Sequence, residues 1–215
     1  MNMAPGPSGG TQSPGRRERN KQRVKERLYS SALSLFTEQG YDRTSVDEIA
    51  ERADVARGTF FNYFQRKEDV ISAWGEERRT KLLTYLEQED VHGSHAVAQL
   101  VRCMSVLARI NEEEQEVTAA MLSAWVKAGR PLSEEPYVAE IFADIVASGA
   151  RSGELDPDLV PERVGNLLRD VYFGALYRWS QHARNERPGE LDDELQAVLK
   201  VLLHGIATVE HAHHV

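Results

Sequence analysis

From residue 16 onward the apolar positions recur at helical spacing in almost every segment, and strand-like alternation is nearly absent. Val24, Leu28, Ala32, Leu35 and Phe36 fall on one face of a first helix, which Gly40 closes because a residue without Cβ tolerates the left-handed turn. Thr44 or Ser45 opens a second helix. Asp47 and Glu48 lie three residues beyond them, so two capping-box registers are available. Val46, Ile49, Ala50 and Ala53 form its inner face. A short helical segment from Val55 to Tyr63 follows, then a longer one from about Glu68 to Gln88. Further helices are predicted from about His95 to Asn111, Glu116 to Ala128 and Pro136 to Arg151. Two strongly apolar ones follow, from Glu162 to Arg184 and from Glu190 to about Val209. The fold class is therefore all-α, with about nine helices. No fixed-period repeat is present.

Charge changes this picture. The chain of 215 residues has a net charge of −8, which by itself disfavours a nucleic-acid partner. The average hides a split: residues 1–67 carry 12 Lys/Arg against 8 Asp/Glu, and residues 68–215 carry 14 against 26. The run Arg16 to Arg27, RRERNKQRVKER, holds seven basic residues and two glutamates. A solvated helix face is the ordinary fate of such a run. Beside a nucleic-acid-binding motif it reads instead as a basic arm for phosphates or the minor groove.

Residues 44–68 are such a motif. Two short helices flank the tight Asp54-Val55-Ala56 turn, and basic residues follow at once. This is a helix-turn-helix pattern, in which the second helix enters the DNA major groove. That groove is about 12 Å wide and admits one helix with small or polar residues outermost. Arg57, Gly58, Thr59 and Asn62 meet the requirement, while Val55, Phe60 and Phe64 point inward.

The stretch TSVDEIAERADVARGTFFNYFQRKEDV, Thr44 to Val70, resembles the TetR family of transcriptional regulators. Ile49, Ala50, Ala53, Val55, Gly58, Thr59, Tyr63, Phe64, Lys67 and Glu68 stand where that family's pattern has them. Asp54 in place of Gly, Ala56 in place of the capping Ser, Phe61 in place of Tyr and Val70 in place of Leu depart from it. The resemblance implies phosphate contacts at Thr44 or Ser45, Tyr63 and Lys67, and base or mixed contacts at Arg57, Thr59 and Asn62, with Gly58 among the DNA-facing residues. The chemistry agrees: Arg grips the guanine edge bidentately and Asn the adenine edge, whereas Thr, Tyr and Lys donate to phosphate oxygens without reading sequence.

The Pro/Gly/Ser-rich start reads as a flexible tail (1–17), and the resemblance implies a three-helix helix-turn-helix domain (18–66) followed by a ligand-binding and dimerisation bundle (67–215). Its last two helices carry wide apolar stripes. Val164, Leu167, Leu168, Val171, Ala175, Leu176 and Trp179 form one; Leu191, Leu195, Val198, Leu199, Leu202, Leu203 and Ile206 form the other. Stripes this wide suit helices buried on two sides. The family implies a four-helix homodimer interface there, with Val164, Leu168, Val171, Leu195, Leu199 and Leu202 at its centre. Met104, Met121, Trp125, Phe142, Tyr172, Phe173 and Tyr177 are the candidate lining of an effector pocket, offering apolar area with hydroxyl and indole handles.

Other classes have less to stand on. No nucleophile-base pair, metal-ligand cluster or phosphate-binding glycine loop supports an enzyme, and no cofactor is called for. An interaction module that has lost DNA binding is the remaining rival, given Asp54, Ala56 and Phe61. His204, His211, His213 and His214 form a terminal cluster that reads as adventitious metal affinity rather than a sensor site. The lone Cys103, amid Val101, Met104 and Leu107, reads as a buried packing residue of a cytoplasmic protein. No segment is long and apolar enough to span a membrane. The expected protein is a DNA-binding regulator: a repressor that binds a palindromic operator as a dimer and is released by a small molecule.

Overall fold

The structure, a computed structural model, describes residues 15–88, 95–128, 137–182 and 189–204. The amino-terminal tail, His92 and the histidines after His204 lie outside the described residues. Nine helices and no strand are found among the described residues: α1 (Arg16–Gln39), α2 (Val46–Arg52), α3 (Arg57–Phe60), α4 (Asp69–Gln88), α5 (Ala96–Glu112), α6 (Gln115–Lys127), α7 (Tyr137–Ser152), α8 (Pro161–His182) and α9 (Glu190–His204). Helix α1 starts at Arg16, so the basic run is helical from its first residue.

Helices α1–α3 enclose a small core of Leu28, Ala32, Leu35, Phe36, Ile49, Phe60 and Phe64. These are the apolar positions whose spacing predicted the helices, so burial of one face per helix drives this domain. Helix α4 links it to the larger bundle. There α5 packs on α4, α7 and α9, and α8 packs on α6, α7 and α9. Leu100, Met104, Leu107, Met121, Phe142, Leu168, Leu176, Leu195 and Leu199 fill the interior.

Side chains from elsewhere in the fold close the starts of two helices. Glu154 accepts from the Ala96 N–H at the start of α5 (2.5 Å), and Glu112 accepts from the Gly189 and Leu191 N–H groups at the start of α9 (3.2 and 2.8 Å). A carboxylate there satisfies donors that the helix cannot and meets the positive end of its dipole.

Helix α8 approaches α7 closely at Gly165. A Cβ added there would lie 2.3 Å from the Ala139 carbonyl oxygen. Backbone cannot yield as a side chain does, so the two helices must part. Gly165→Ala is expected to destabilise the fold by about 1–3 kcal/mol, the usual cost of overpacking. Urea unfolding of the variant checks it; an unchanged midpoint would show that α7 and α8 slide apart freely.

Candidate functional site

The sequence left two capping registers open at the start of α2. The structure uses Ser45 with Glu48. The Ser45 Oγ accepts from the Glu48 N–H (3.2 Å) and donates to Glu48 Oε2 (2.7 Å), and the Ser45 N–H donates to the same carboxylate oxygen (2.7 Å). These bonds hold the Glu48 carboxyl below its usual range. Thr44 is instead buried, its Oγ1 donating to the Gly40 carbonyl at 2.9 Å. It closes the α1–α2 turn and is not placed to meet phosphate. Ser45 is exposed and is the better placed of the pair.

The turn into α3 runs through Asp54 at φ +53°, the only non-glycine with positive φ among the described residues. Aspartate tolerates this region better than most side chains, which accounts for its standing where the family pattern has Gly. Ala56 caps α3 with no side-chain hydrogen bond. Regular α-helix spans only Arg57–Phe60, and turns carry the chain on to Tyr63. Phe60 is fully buried and Phe64 nearly so, and together they pin the segment inward.

Arg57, Gly58 and Asn62 are exposed; Thr59 and Tyr63 are half-buried. A Cβ on Gly58 would meet nothing within 4 Å, so nothing inside the chain requires this glycine. The bare backbone is free for close approach to a partner. Arg57 Nη1 pairs with both oxygens of Asp47 (3.2 and 2.9 Å), and its guanidinium carbon lies 5.9 Å from the centre of the exposed Phe61 ring.

Lys67, of which a phosphate contact is expected, is also engaged within the chain. Its ammonium donates to the carbonyls of Tyr41 (2.7 Å) and Thr44 (2.9 Å) and lies 3.9 Å from the centre of the Tyr41 ring. Two of its three donors are spent on the α1–α2 turn, and burial pulls its pKa down. Tyr41 in turn donates to Glu68 Oε1 (2.7 Å). Lys67 therefore braces the turn that presents Ser45.

The basic arm faces solvent along most of its length. Apart from half-buried Val24, every residue from Arg16 to Arg27 is exposed. A crevice lined by Gln22, Lys25, Glu26, Tyr29, Phe64, Ala73 and Glu77 joins this part of α1 to the end of the helix-turn-helix.

A charged chain ties the two halves together. Tyr29 on α1 donates to Glu77 on α4 (2.7 Å), and Lys81 bridges Glu77 (3.3 Å) to Glu114 (2.5 Å) between α5 and α6. Arg78, with only 6 % of its side chain exposed, donates to the Glu114 carboxylate (2.5 Å) and the Ile110 carbonyl (2.6 Å). One signal for it existed in the sequence: Arg78 occupies an apolar slot in the Ile71, Trp74, Arg78, Leu82, Leu86 stripe of α4.

The expected effector residues fall into two groups. Met104, Met121 and Phe142 are fully buried core, and the Tyr172 hydroxyl accepts from Asn111 Nδ2 (3.0 Å) in the interior. Trp125, Phe173 and Tyr177 do come together. With Leu122, Val126, Asp170 and Gly174 they line a cleft of about 240 Å³ between α6 and α8. Trp125 packs edge-on to Phe173 with ring centres 5.0 Å apart, and its indole N–H is buried without a partner.

The expected interface residues divide as well. Leu168, Leu195 and Leu199 are buried within one chain, Val164 and Val171 are half-buried, and Leu202 is exposed. Leu167 and Val201, on α8 and α9, are nearly half exposed, and Leu203 is exposed beside them. Single-chain packing uses the stripe nearest the core and leaves the adjacent stripe open. Cys103 is fully buried, and burial pushes its thiol up to about 12. No three potential metal ligands converge among the described residues, and none of the described helices is long and apolar enough to cross a membrane.

An all-helical chain with a capped α2, a left-handed turn and an exposed, basic-led α3 has the form of a helix-turn-helix DNA-binding protein. Residues 28–73 match the family of bacterial regulatory proteins called the tetR family, and residues 80–205 match the C-terminal domain of TetR/AcrR family transcriptional repressors. The chain belongs to the TetR family of transcriptional regulators. It is 36% identical over 107 residues to the HTH-type transcriptional regulator TcmR of Streptomyces glaucescens, a match covering 48% of this chain and 46% of that one. It is 27% identical over 169 residues to the HTH-type transcriptional repressor KstR of Mycobacterium tuberculosis, covering 78% of this chain and 73% of that one. Among solved structures it is similar to Thermus thermophilus FadR, a TetR-family repressor in complex with lauroyl-CoA. There the identity is 30% and the TM-score 0.69, covering 86% of this chain and 95% of that one.

Proposed function

We propose that this regulator is a cytoplasmic repressor that binds a two-fold operator as a homodimer and leaves it when a small-molecule effector binds the bundle. In this reading it is not an enzyme and needs no cofactor. The observation that carries it is the exposure of Arg57, Gly58 and Asn62 on one short element, beside exposed Ser45. Arg57 and Asn62 read base edges, with Thr59 contributing its methyl or hydroxyl. Ser45 and Tyr63 hold phosphate, and Lys67 supports them from behind. The basic half of α1 adds phosphate contacts outside the residues that match the family, which begin at residue 28.

The effector enters between α6 and α8. The cleft at Trp125, Phe173 and Tyr177 is apolar, and the Trp125 N–H is buried without a partner. Its volume is below the several hundred Å³ typical of ligand pockets, so binding widens it by shifting the side chains that line it. The lauroyl-CoA bound by the Thermus relative makes acyl-CoAs the first effectors to try, with the acyl chain rather than the polar CoA portion in this cleft.

Salt titration of binding to duplex DNA tests the arm. Each phosphate neutralised contributes about −0.9 to the slope of log K against log salt. Changing Arg16, Arg17, Arg19, Lys21 and Arg23 to Gln preserves helix propensity. It is expected to flatten the slope by roughly 0.9 for each phosphate the arm no longer neutralises and to leave base preference intact. An unchanged slope would remove the arm from the DNA interface.

A further inference from the structure

Asp47 sits oddly for a residue on a DNA-facing surface. It is an exposed carboxylate in the first turn of α2, where like charge repels phosphate, yet it is bonded to the side chain proposed above to read bases. Arg57 has five N–H donors, two on each Nη and one on Nε. Asp47 engages Nη1 alone, with both of its oxygens. Among the described residues no hydrogen bond takes Nε or Nη2. Those two atoms form the parallel donor pair that matches the O6 and N7 acceptors of guanine.

Two further features fix the group. Asp47 projects from a helix whose start is locked by the Ser45–Glu48 capping box, so the backbone that carries the carboxylate is held in place. The Phe61 ring lies within cation–π reach of the guanidinium at 5.9 Å. An arginine on solvent otherwise loses much rotamer freedom when it docks. Here part of that cost is met before DNA arrives.

We propose that Asp47 is a positioning residue for base reading: it holds Arg57 by Nη1, with Phe61 flanking the guanidinium, so that the Nε–Nη2 edge is presented to guanine. The proposal rests on Arg57 being a reader. Asp47 then lowers affinity for DNA in general, by repulsion, while raising the preference for one base pair in each half-site. A carboxylate that touches no base sets part of the specificity.

The test is selection from a pool of DNA duplexes with a randomised central segment, using the full chain and its Asp47→Asn, Arg57→Ala and doubly substituted forms. Asp47→Asn keeps the side-chain shape and the exposed position, and far-UV circular dichroism checks that each variant is folded. Asp47→Asn is expected to bind the unselected pool as well as or better than the parent. It is also expected to lose about tenfold of the guanine preference at the position that depends on Arg57, within the range of one bidentate pair. In the Arg57→Ala background Asp47→Asn should change no base preference. Retained preference in Asp47→Asn, or the same loss without Arg57, overturns the proposal. If Arg57→Ala alone leaves every base preference unchanged, Arg57 is not a reader, and both that assignment and this proposal fall.

Discussion

Glu114→Ala is expected to destabilise the protein by about 3 kcal/mol, a loss read as a lowered urea midpoint. The mutation strands Arg78, whose side chain is 6 % exposed and whose other acceptor is the Ile110 carbonyl. Breaking a buried pair from one side costs about 3–5 kcal/mol, because the remaining charge stays buried without its partner. The lower end applies here because Glu114 itself is 38 % exposed. The same pair gives an acid response. Burial alone would raise the Glu114 carboxyl, but the hydrogen bond from Lys81 and the charges of Arg78 and Lys81 outweigh it and hold it low. A depressed carboxyl contributes stability above its unfolded pKa, near 4.5, and loses it as pH falls through the folded value. The parent protein should therefore lose this increment on acidification below about pH 4.5, and Glu114→Gln should lack it. A parent and variant with the same pH profile would contradict that assignment. Because Tyr29 and Glu77 continue the chain to α1, the break should also loosen the coupling of the bundle to the DNA-binding domain.

The second large effect concerns assembly. Leu167 and Val201 are exposed in the single chain, on the sides of α8 and α9 away from the core. The combined Leu167→Glu and Val201→Glu change should spare the monomer fold, since neither side chain fills its interior. In a dimer joined through these helices it buries four carboxylates without partners. Sedimentation should then show monomers, and affinity for a two-fold site should fall about a hundredfold or more, because a lone recognition element reads one half-site. A variant that remains dimeric would place the interface elsewhere.

How much of this was legible in the sequence depends on the residue. The order of the helices followed from apolar spacing, because burial of one face is what forms each of them. The turn at Asp54 and the missing cap at Ala56 were also legible, since their physics is local. What depended on the third dimension was not. Thr44 and Ser45 are adjacent and chemically alike, and only the packing of Thr44 under the α1–α2 turn separates them. Lys67 fits a phosphate contact by type and position, yet two carbonyls 23 and 26 residues upstream take its ammonium. Leu168, Leu195 and Leu199 lie on the same wide stripes as Leu167 and Leu202, and periodicity does not say which edge of a stripe faces the chain's own core. The Asp47–Arg57 pair joins two helices across the turn and leaves no mark in any periodic pattern.

Recovery of bound sequences from a randomised duplex pool, with the parent protein and Arg57→Ala side by side, bears most directly on the reading of this chain as a dimeric, sequence-specific regulator. The parent should enrich one dyad-symmetric sequence with half-site centres about one helical turn apart, roughly 34–36 Å or a multiple of it. Arg57→Ala should keep the symmetry and lose preference at one position in each half. Enrichment of an asymmetric sequence, or of none at all at low salt, would contradict it.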